Sequence, residues 1–524
     1  MSDLSFLREP TRQDRAAIVV ILVRLLVGLA RSFWPVLVIA LLGRGGGDDE
    51  AAAESARPDR FEGWFLWLGI VGGVYGAVMS IISYFRFYYF VEGDEFVIRK
   101  GVFKKTRKNV SFDRIQTINF KQTPIHRLLN VVGVEIDTAG SRGSEFMIDA
   151  VKMDQAEAIR DYLIRRREAA RAEAAAERTE AGVPPTETPS PAPVRPDELL
   201  LKLDPGDLVR VGISQNHLRT AFIIIGFFFG IYFNVRDAIG INLEERVFDE
   251  LTKSGGPQTT WLDWLPFVGL LLVAAFFLTL IRTVIRYYGL KLWQTERGFK
   301  LVSGLFSRQE VSAVLRKIQV VEWLRNPIRR ALGMYTVRLK QAASVAIGKQ
   351  TSINVPGCYA AQLDRVRAAY FPHERELAWT AFKPNRAIVW RRTLYLWTPP
   401  ALALFALNFW GYGNGWASLL FLLLIPLGLL WNVLLYRKWH YEVSIDGLRI
   451  QRGALGEKAT LLRWRKVQSV ALKQSPYQRR HDLADVVLYT AAGSTKIAFI
   501  EGIHARSIAN WVLYRVESDG EKWM

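Results

Sequence analysis

The chain has 524 residues, half of them hydrophobic, with 17 Trp, 29 Phe and a net charge of +19. Its apolar residues gather in runs of membrane length between charged segments, so the positive balance points to a positive-inside membrane protein and away from a nucleic-acid binder. The one cysteine, Cys358, excludes an intramolecular disulfide and a cysteine metal cluster and is read as structural.

The N-terminal MSDLSFLREPTRQDR is polar and contains acids, and no small-residue cleavage site follows, so the first apolar run reads as a retained span. A bilayer-crossing helix needs about 20 mostly apolar residues. Six runs at about 17–42, 63–85, 217–235, 261–281, 394–410 and 416–436 predict six transmembrane helices in three hairpins. The fifth contains Pro399 and Pro400 and must be kinked or offset. The loops at 43–61 and 236–260 are acidic, whereas Arg282, Arg286, Arg391, Arg392, Arg437 and Lys438 flank the opposite ends. Both termini and the three long segments are therefore expected in the cytoplasm. Arg24 and Arg31 fall inside the first run, on one helical face, as candidate intramembrane charges. The bland reading is that Arg24 snorkels to the inner interface and Arg31 pairs within the bundle.

The three long segments repeat one another. Gly101, Gly304 and Gly453 each precede a Gln by fifteen positions, at Gln116, Gln319 and Gln468. A Pro follows eight positions later, at Pro124, Pro327 and Pro476, and an Arg three beyond that, at Arg127, Arg330 and Arg479. Thr123, Asn326 and Ser475 stand before each Pro, which predicts a capped short helix opened by proline. Asn130, Gly333 and Asp482 stand where the left-handed conformation ends it. Around this helix the pattern is β: Val132, Val134 and Ile136 alternate with polar or small residues, and the pairs at 93–94 and 446–447 read as hairpin turns. Each unit closes with an amphipathic helix, with apolar stripes Ile159, Tyr162, Leu163, then Leu363, Val366, Tyr370, then Ile508, Trp511, Val512.

A membrane hairpin followed by this Gly, Gln, Ser/Thr-Pro and Arg pattern resembles the bacterial pleckstrin-homology-like (PH-like) membrane proteins of the YdbS/YdbT-like group. The resemblance implies an α+β membrane protein of the bacterial inner (plasma) membrane, in which each hairpin is followed by a PH-like β-barrel or curved antiparallel sheet with a C-terminal capping helix. Hairpins are expected at 17–85, 215–285 and 394–436, with PH-like domains at 86–165, 286–371 and 437–518. An Ala/Glu/Arg- and Pro-rich linker fills 166–200, and a connector at 372–393 is expected along the membrane surface. The resemblance implies no enzyme activity and no cofactor. His481 and Asp482 depart from the Leu332-Gly333 of the second unit.

No nucleophile elbow, phosphate loop or zinc helix is present, and the six His are isolated, so no catalytic, cofactor or metal residue is assigned. The remaining candidate site is electrostatic. Arg99, Lys100, Lys104, Lys105, Arg107 and Lys108 cluster in the first unit, Arg325, Arg329 and Arg330 in the second, and Arg463, Arg465 and Lys466 in the third. Beside a membrane each such residue gains about 1 kcal/mol from anionic headgroups. The expected function is a non-enzymatic membrane scaffold whose modules bind anionic lipid, peptide or a membrane-protein partner in envelope homeostasis. The alternative is a transporter or exporter built on the spans. Nucleic acid is not an expected partner, and the oligomeric state is open.

Overall fold

A computed structural model describes residues 9–28, 58–102, 104–138, 146–180, 198–226, 265–342, 352–411 and 418–518. Their strands form four antiparallel sheets. The first unit holds β1 (Tyr88–Glu92), β2 (Glu95–Lys100) and β3 (Thr106–Ser111) in one sheet. Its β4 (Ile115–Gln122), β5 (Val131–Thr138) and β6 (Phe146–Lys152) belong to a second. The second unit repeats this with β7 (Glu198–Lys202), β8 (Lys291–Thr295), β9 (Gly298–Ser303) and β10 (Arg308–Val314), then β11 (Ile318–Arg325), β12 (Tyr335–Gln341) and β13 (Ser352–Cys358). The third has β14 (Thr380–Phe382), β15 (His440–Val443), β16 (Gly447–Arg452) and β17 (Glu457–Arg463), then β18 (Val467–Lys473), β19 (Leu483–Thr490) and β20 (Gly493–Glu501).

The units do not stand apart. β10 pairs with β4, and β17 with β11, so two seven-stranded sheets, ordered β6-β5-β4-β10-β9-β8-β7 and β13-β12-β11-β17-β16-β15-β14, run across the seams. The register is the same at both. Arg308 faces Gln122 at one seam and Glu457 faces Arg325 at the other, and these are equivalent positions counted from the shared Gly and Gln. The cores merge accordingly: Leu461 of the third unit packs into the core of the second, and Val320 of the second into that of the third.

Each unit begins before its apolar helices. β7 pairs with β8 although residues 203–290 separate them, β14 pairs with β15 across residues 383–439, and Thr11 bridges Tyr89 across residues 12–88. The apolar helices are thus an insertion between the first and second strands. The connector at 372–393 supplies β14, and the linker at 166–200 ends in β7, so both feed the barrels.

The repeated residues have local causes. Gly101, Gly304 and Gly453 have φ of +120°, +114° and +155°, and a Cβ there would stand 1.9, 2.0 and 2.3 Å from a carbonyl oxygen of the following turn. Thr123, Asn326 and Ser475 accept the capping N–H from His126, Arg329 and Gln478. Asn130, Gly333 and Asp482 have φ of 52°, 67° and 47°, so Asp482 takes the left-handed place although the sequence departs there. Val132, Val134 and Ile136 are buried, as are Ile159 and Leu163, then Leu363, Val366 and Tyr370, then Ile508 and Val512. Trp511 differs: it lies on the exposed side, where its Nε1 donates to the Ile445 carbonyl at 3.2 Å. Cys358 is buried at the end of β13, and burial pushes its thiol up to about 12.

The six predicted transmembrane helices are corrected. Among the described residues two helices, Gly269–Tyr287 and Leu419–Arg437, are long and apolar enough to cross a bilayer, while the apolar stretches Ala16–Gly28 and His217–Gly226 reach the limit of the described residues and Val71–Phe85 is part of the helix Pro58–Phe85. Two local features of the described residues bear on the count, and residues 29–42, 227–235 and 261–264 of the expected runs lie outside the described residues. Arg24, counted inside the first run, stands beside the barrel with its Nη2 2.6 Å from Asp149 Oδ1 on β6, so the start of that run belongs to the first unit. The fifth run breaks at Trp397 between the helices Ala387–Leu396 and Thr398–Gly411. The latter has 14 residues, about 21 Å at 1.5 Å per residue, against a hydrocarbon core of about 30 Å. Arg31 and the expected outer loops lie outside the described residues. The helices nevertheless pair: Thr279 Oγ1 donates to Thr220 Oγ1 at 2.9 Å, and Asn432 Nδ2 to Thr393 Oγ1 at 3.0 Å.

Candidate functional site

The turn after the shared glycine and the short proline-led helix lie at the ends of the apolar helices. In the second unit the Gly304 and Leu305 N–H groups donate to the Tyr288 and Ile285 carbonyls, each at 2.9 Å, so the β9–β10 turn rests on the last turn of the helix Leu265–Tyr287. The same face holds the short helix Pro327–Ala331. Asn326 Nδ2 donates to the Ser214 carbonyl at 2.6 Å and Arg329 Nε to Ser214 Oγ at 3.1 Å, just before the apolar helix His217–Gly226. In the third unit the Arg391 guanidinium sits 4.3 Å from the Tyr477 ring centroid, which joins the short helix Pro476–Arg480 to the helix leading into the hairpin. In the first, His126 bonds Asp149 O at 2.7 Å, and Asp149 holds Arg24 of the helix Ala16–Gly28. Burial, the dominant cause, pulls the His126 imidazole below its ordinary value.

This face presents apolar side chains to the outside. Leu128 is 85 % exposed and Phe306 and Leu455, each two positions after its shared glycine, are 53 % and 58 % exposed; Ile328 is exposed as well. Side chains of this size, open at the base of apolar helices, suit insertion into a headgroup layer.

The expected basic residues separate into two groups. Lys100, Lys104 and Lys105, at the β2–β3 turn, are exposed. Arg107 is tied to Glu92 at 2.6 Å and Asn109 at 3.1 Å, and Lys108 is half-buried. The second and third units use their cations internally. Arg329 is half-buried and donates to Thr336 Oγ1 at 2.6 Å as well as to Ser214. Arg325 and Arg330 approach Glu457 across the seam at 3.5 and 3.7 Å. Lys466 is buried with Nζ 2.6 Å from the Arg316 carbonyl, Arg463 lies over the Phe371 ring, and Arg465 is half-buried. Structure therefore brings together the first-unit lysines but not a three-unit basic patch. The shared Arg127 donates to the Leu305 carbonyl of the next unit's turn, as Arg330 reaches Glu457. Of the shared glutamines, Gln319 is buried at a seam and Gln468 is exposed. The apolar turn tips were readable, since Phe103, Phe306 and Leu455 all stand two residues after the repeat glycine; Phe103 lies outside the described residues.

Units of two small antiparallel sheets closed by a helix, joined edge to edge and rooted in apolar helices, define a membrane-anchored tandem of PH-like barrels. A model of the bacterial PH domain matches residues 19–167, 241–372 and 390–516, and the chain belongs to that family. It is 24 % identical over 447 residues to the transmembrane protein YdbT of Bacillus subtilis (strain 168), 82 % of each chain. It is 32 % identical over 113 residues to the transmembrane protein YdbS of the same organism, 20 % of this chain and 69 % of YdbS. No solved structure matches the chain. The chain is thus a membrane protein carrying bacterial PH domains.

Proposed function

We propose that this is a non-catalytic protein of the bacterial inner membrane whose PH-like units lie against the cytoplasmic leaflet and bind anionic lipid. The observation that carries the reading is the seat of the Gly304–Leu305 turn on the last turn of an apolar helix, with Phe306 exposed at its tip. The equivalent turn in the first unit ends in Lys104 and Lys105, both exposed. Each lysine at an anionic surface contributes about 1 kcal/mol. Fully burying a side chain of the size of Phe306 or Leu455 contributes roughly 1.5–3 kcal/mol. Apolar tips set depth, and the lysines select for anionic headgroups. Arg282, Arg286, Arg437 and Lys438, at the barrel ends of the apolar helices, support the cytoplasmic side by the positive-inside bias.

The test uses the full chain in nanodiscs with zwitterionic lipid alone or with added phosphatidylglycerol. Amide hydrogen exchange across 98–110 is expected to slow when the anionic lipid is present, and Lys104→Gln with Lys105→Gln to remove the difference. Equal exchange in both lipids would exclude lipid binding at this turn.

A further inference from the structure

The two seams are one junction used twice, and each end of the array holds half of a third. A seam pairs the last strand of one unit's first sheet with the first strand of the preceding unit's second sheet, in one register. Such a head-to-tail contact joins two different surfaces, so a row of units leaves one unmatched half at each end. Among the described residues β3 pairs with β2 alone and β18 with β19 alone, so each keeps one open edge. The residues of β18 show what is uncovered. Gln319 to Glu322 on β11 are buried at the seam, whereas Gln468 and Ser469 at the equivalent positions are exposed, and Leu472 is 46 % exposed. Arg127 and Arg330 clasp the next unit's turn, while Arg479, at the same place, has no partner among the described residues.

Charge decides what fits there. Carrying the seam register over places Gln474 against Lys105, Lys473 against Thr106, and Val470 against Asn109 of an incoming first unit. Lys473 would then stand between Lys104 and Lys108, and Arg479 would meet Lys105 where Arg330 meets Glu457. Like charges opposed on one face of a sheet are destabilising, and lysines on an open edge block edge-to-edge assembly.

We propose that the open β18 edge, with Arg479 beside it, docks the last first-sheet strand of a PH-like unit on another chain that carries a carboxylate at the position Glu457 holds. The same lysines stop copies of this chain from filing end to end. Recognition is strand addition at a preformed edge, with the carboxylate choosing the partner.

A charge-reversed second copy serves as the probe, in mixed detergent micelles with the full chain. One copy carries Val470→Cys. The other carries Asn109→Cys with Lys104→Glu, Lys105→Glu and Lys108→Glu. Cys358 is buried and stays silent. A short bismaleimide is expected to join the two about tenfold more efficiently than when the lysines are kept. Moving the second cysteine to Thr106→Cys is expected to lose the product, and Arg479→Glu on the first copy to suppress it. Lys105→Glu alone, on an exposed residue, is expected to give part of the gain and guards against a fold lost by the triple change. No gain on reversal, an equal yield at the shifted register, or indifference to Arg479→Glu would overturn the proposal.

Discussion

Glu322 on β11 and Lys458 on β17 meet at 3.2 Å across the seam between the second and third barrels, and Lys340 joins the same carboxylate at 2.9 Å. One buried acid thus ties a strand of its own unit and a strand of the next into one sheet. Asn119 holds the equivalent place at the first seam, where its Oδ1 accepts the Ser312 N–H at 3.2 Å. The seam is polar at its centre and apolar around it, with Val320, Val321, Leu461 and Leu462 buried.

The carboxylate makes the seam sensitive to acid. Burial alone would raise the Glu322 pKa, but the hydrogen bonds and charges of Lys340 and Lys458 prevail and hold it below its ordinary value. A carboxyl lowered in the folded state contributes stability that is present above its unfolded pKa and is lost as pH falls through the folded one. Glu322→Gln is expected to cost about 2 kcal/mol at neutral pH. Its deficit in melting temperature should shrink in acid below the ordinary carboxylate range. A constant deficit across pH would contradict the pairing.

The shared glycines are required by backbone geometry. Gly304→Ala would place a Cβ 2.0 Å from the Ser307 carbonyl oxygen at φ +114°. A loss of about 2 kcal/mol is expected. Gly206, in the helix Pro205–Ile213 with nothing within 4 Å of a built Cβ, is the control. Its replacement by Ala should be neutral or stabilise by about 0.5–1 kcal/mol. Thermal melts of the two variants in detergent decide the matter.

The shared arginines divide by position. Arg127→Ala removes a clasp on the Leu305 carbonyl and is expected to speed amide exchange in β10, where Arg308 to Glu310 pair with β4. Arg479→Ala, at the array's open end, is expected to leave the lone chain's stability within about 0.5 kcal/mol. Equal effects of the two would mean that the arginine serves its own short helix.

His126 lies between Thr123 and the Asp149 carbonyl, and its pKa is lowered by burial. The unfolded chain therefore takes up the proton first. Stability is complete above about 6.5, the ordinary histidine value, and declines as pH falls toward the folded one. The wild type is expected to lose melting temperature between pH 7 and pH 5.5 on this account, and His126→Gln to lose less. An identical pH dependence would place the acid sensitivity elsewhere.

Legibility followed locality. The glycine turns, the caps at Thr123, Asn326 and Ser475, and the left-handed residues Asn130, Gly333 and Asp482 are set by neighbours in sequence and could be read there. The seams could not, because β4 meets β10 and β11 meets β17 through long-range pairing that no local pattern encodes. The opening strands β7 and β14 are short, with β14 only Thr380–Phe382, and their partners lie beyond a hairpin. Span counting failed where apolar residues serve the barrel, as at Ala17 and Val20, both buried beside Arg24. The site was half legible: composition located the cations, but Arg329 and Lys466 are spent on internal carbonyl and hydroxyl groups, and only packing shows which lysines remain at the surface.

Spin labels at Phe306→Cys and Leu455→Cys, compared with Ser494→Cys beside the far turn of β19 and β20, test most directly whether the barrels lie with their glycine turns in the bilayer surface. In nanodiscs the first two labels are expected to be accessible to oxygen and shielded from a water-soluble nickel relaxant, and the third to show the reverse. Full exposure of positions 306 and 455 to the nickel relaxant would contradict the account.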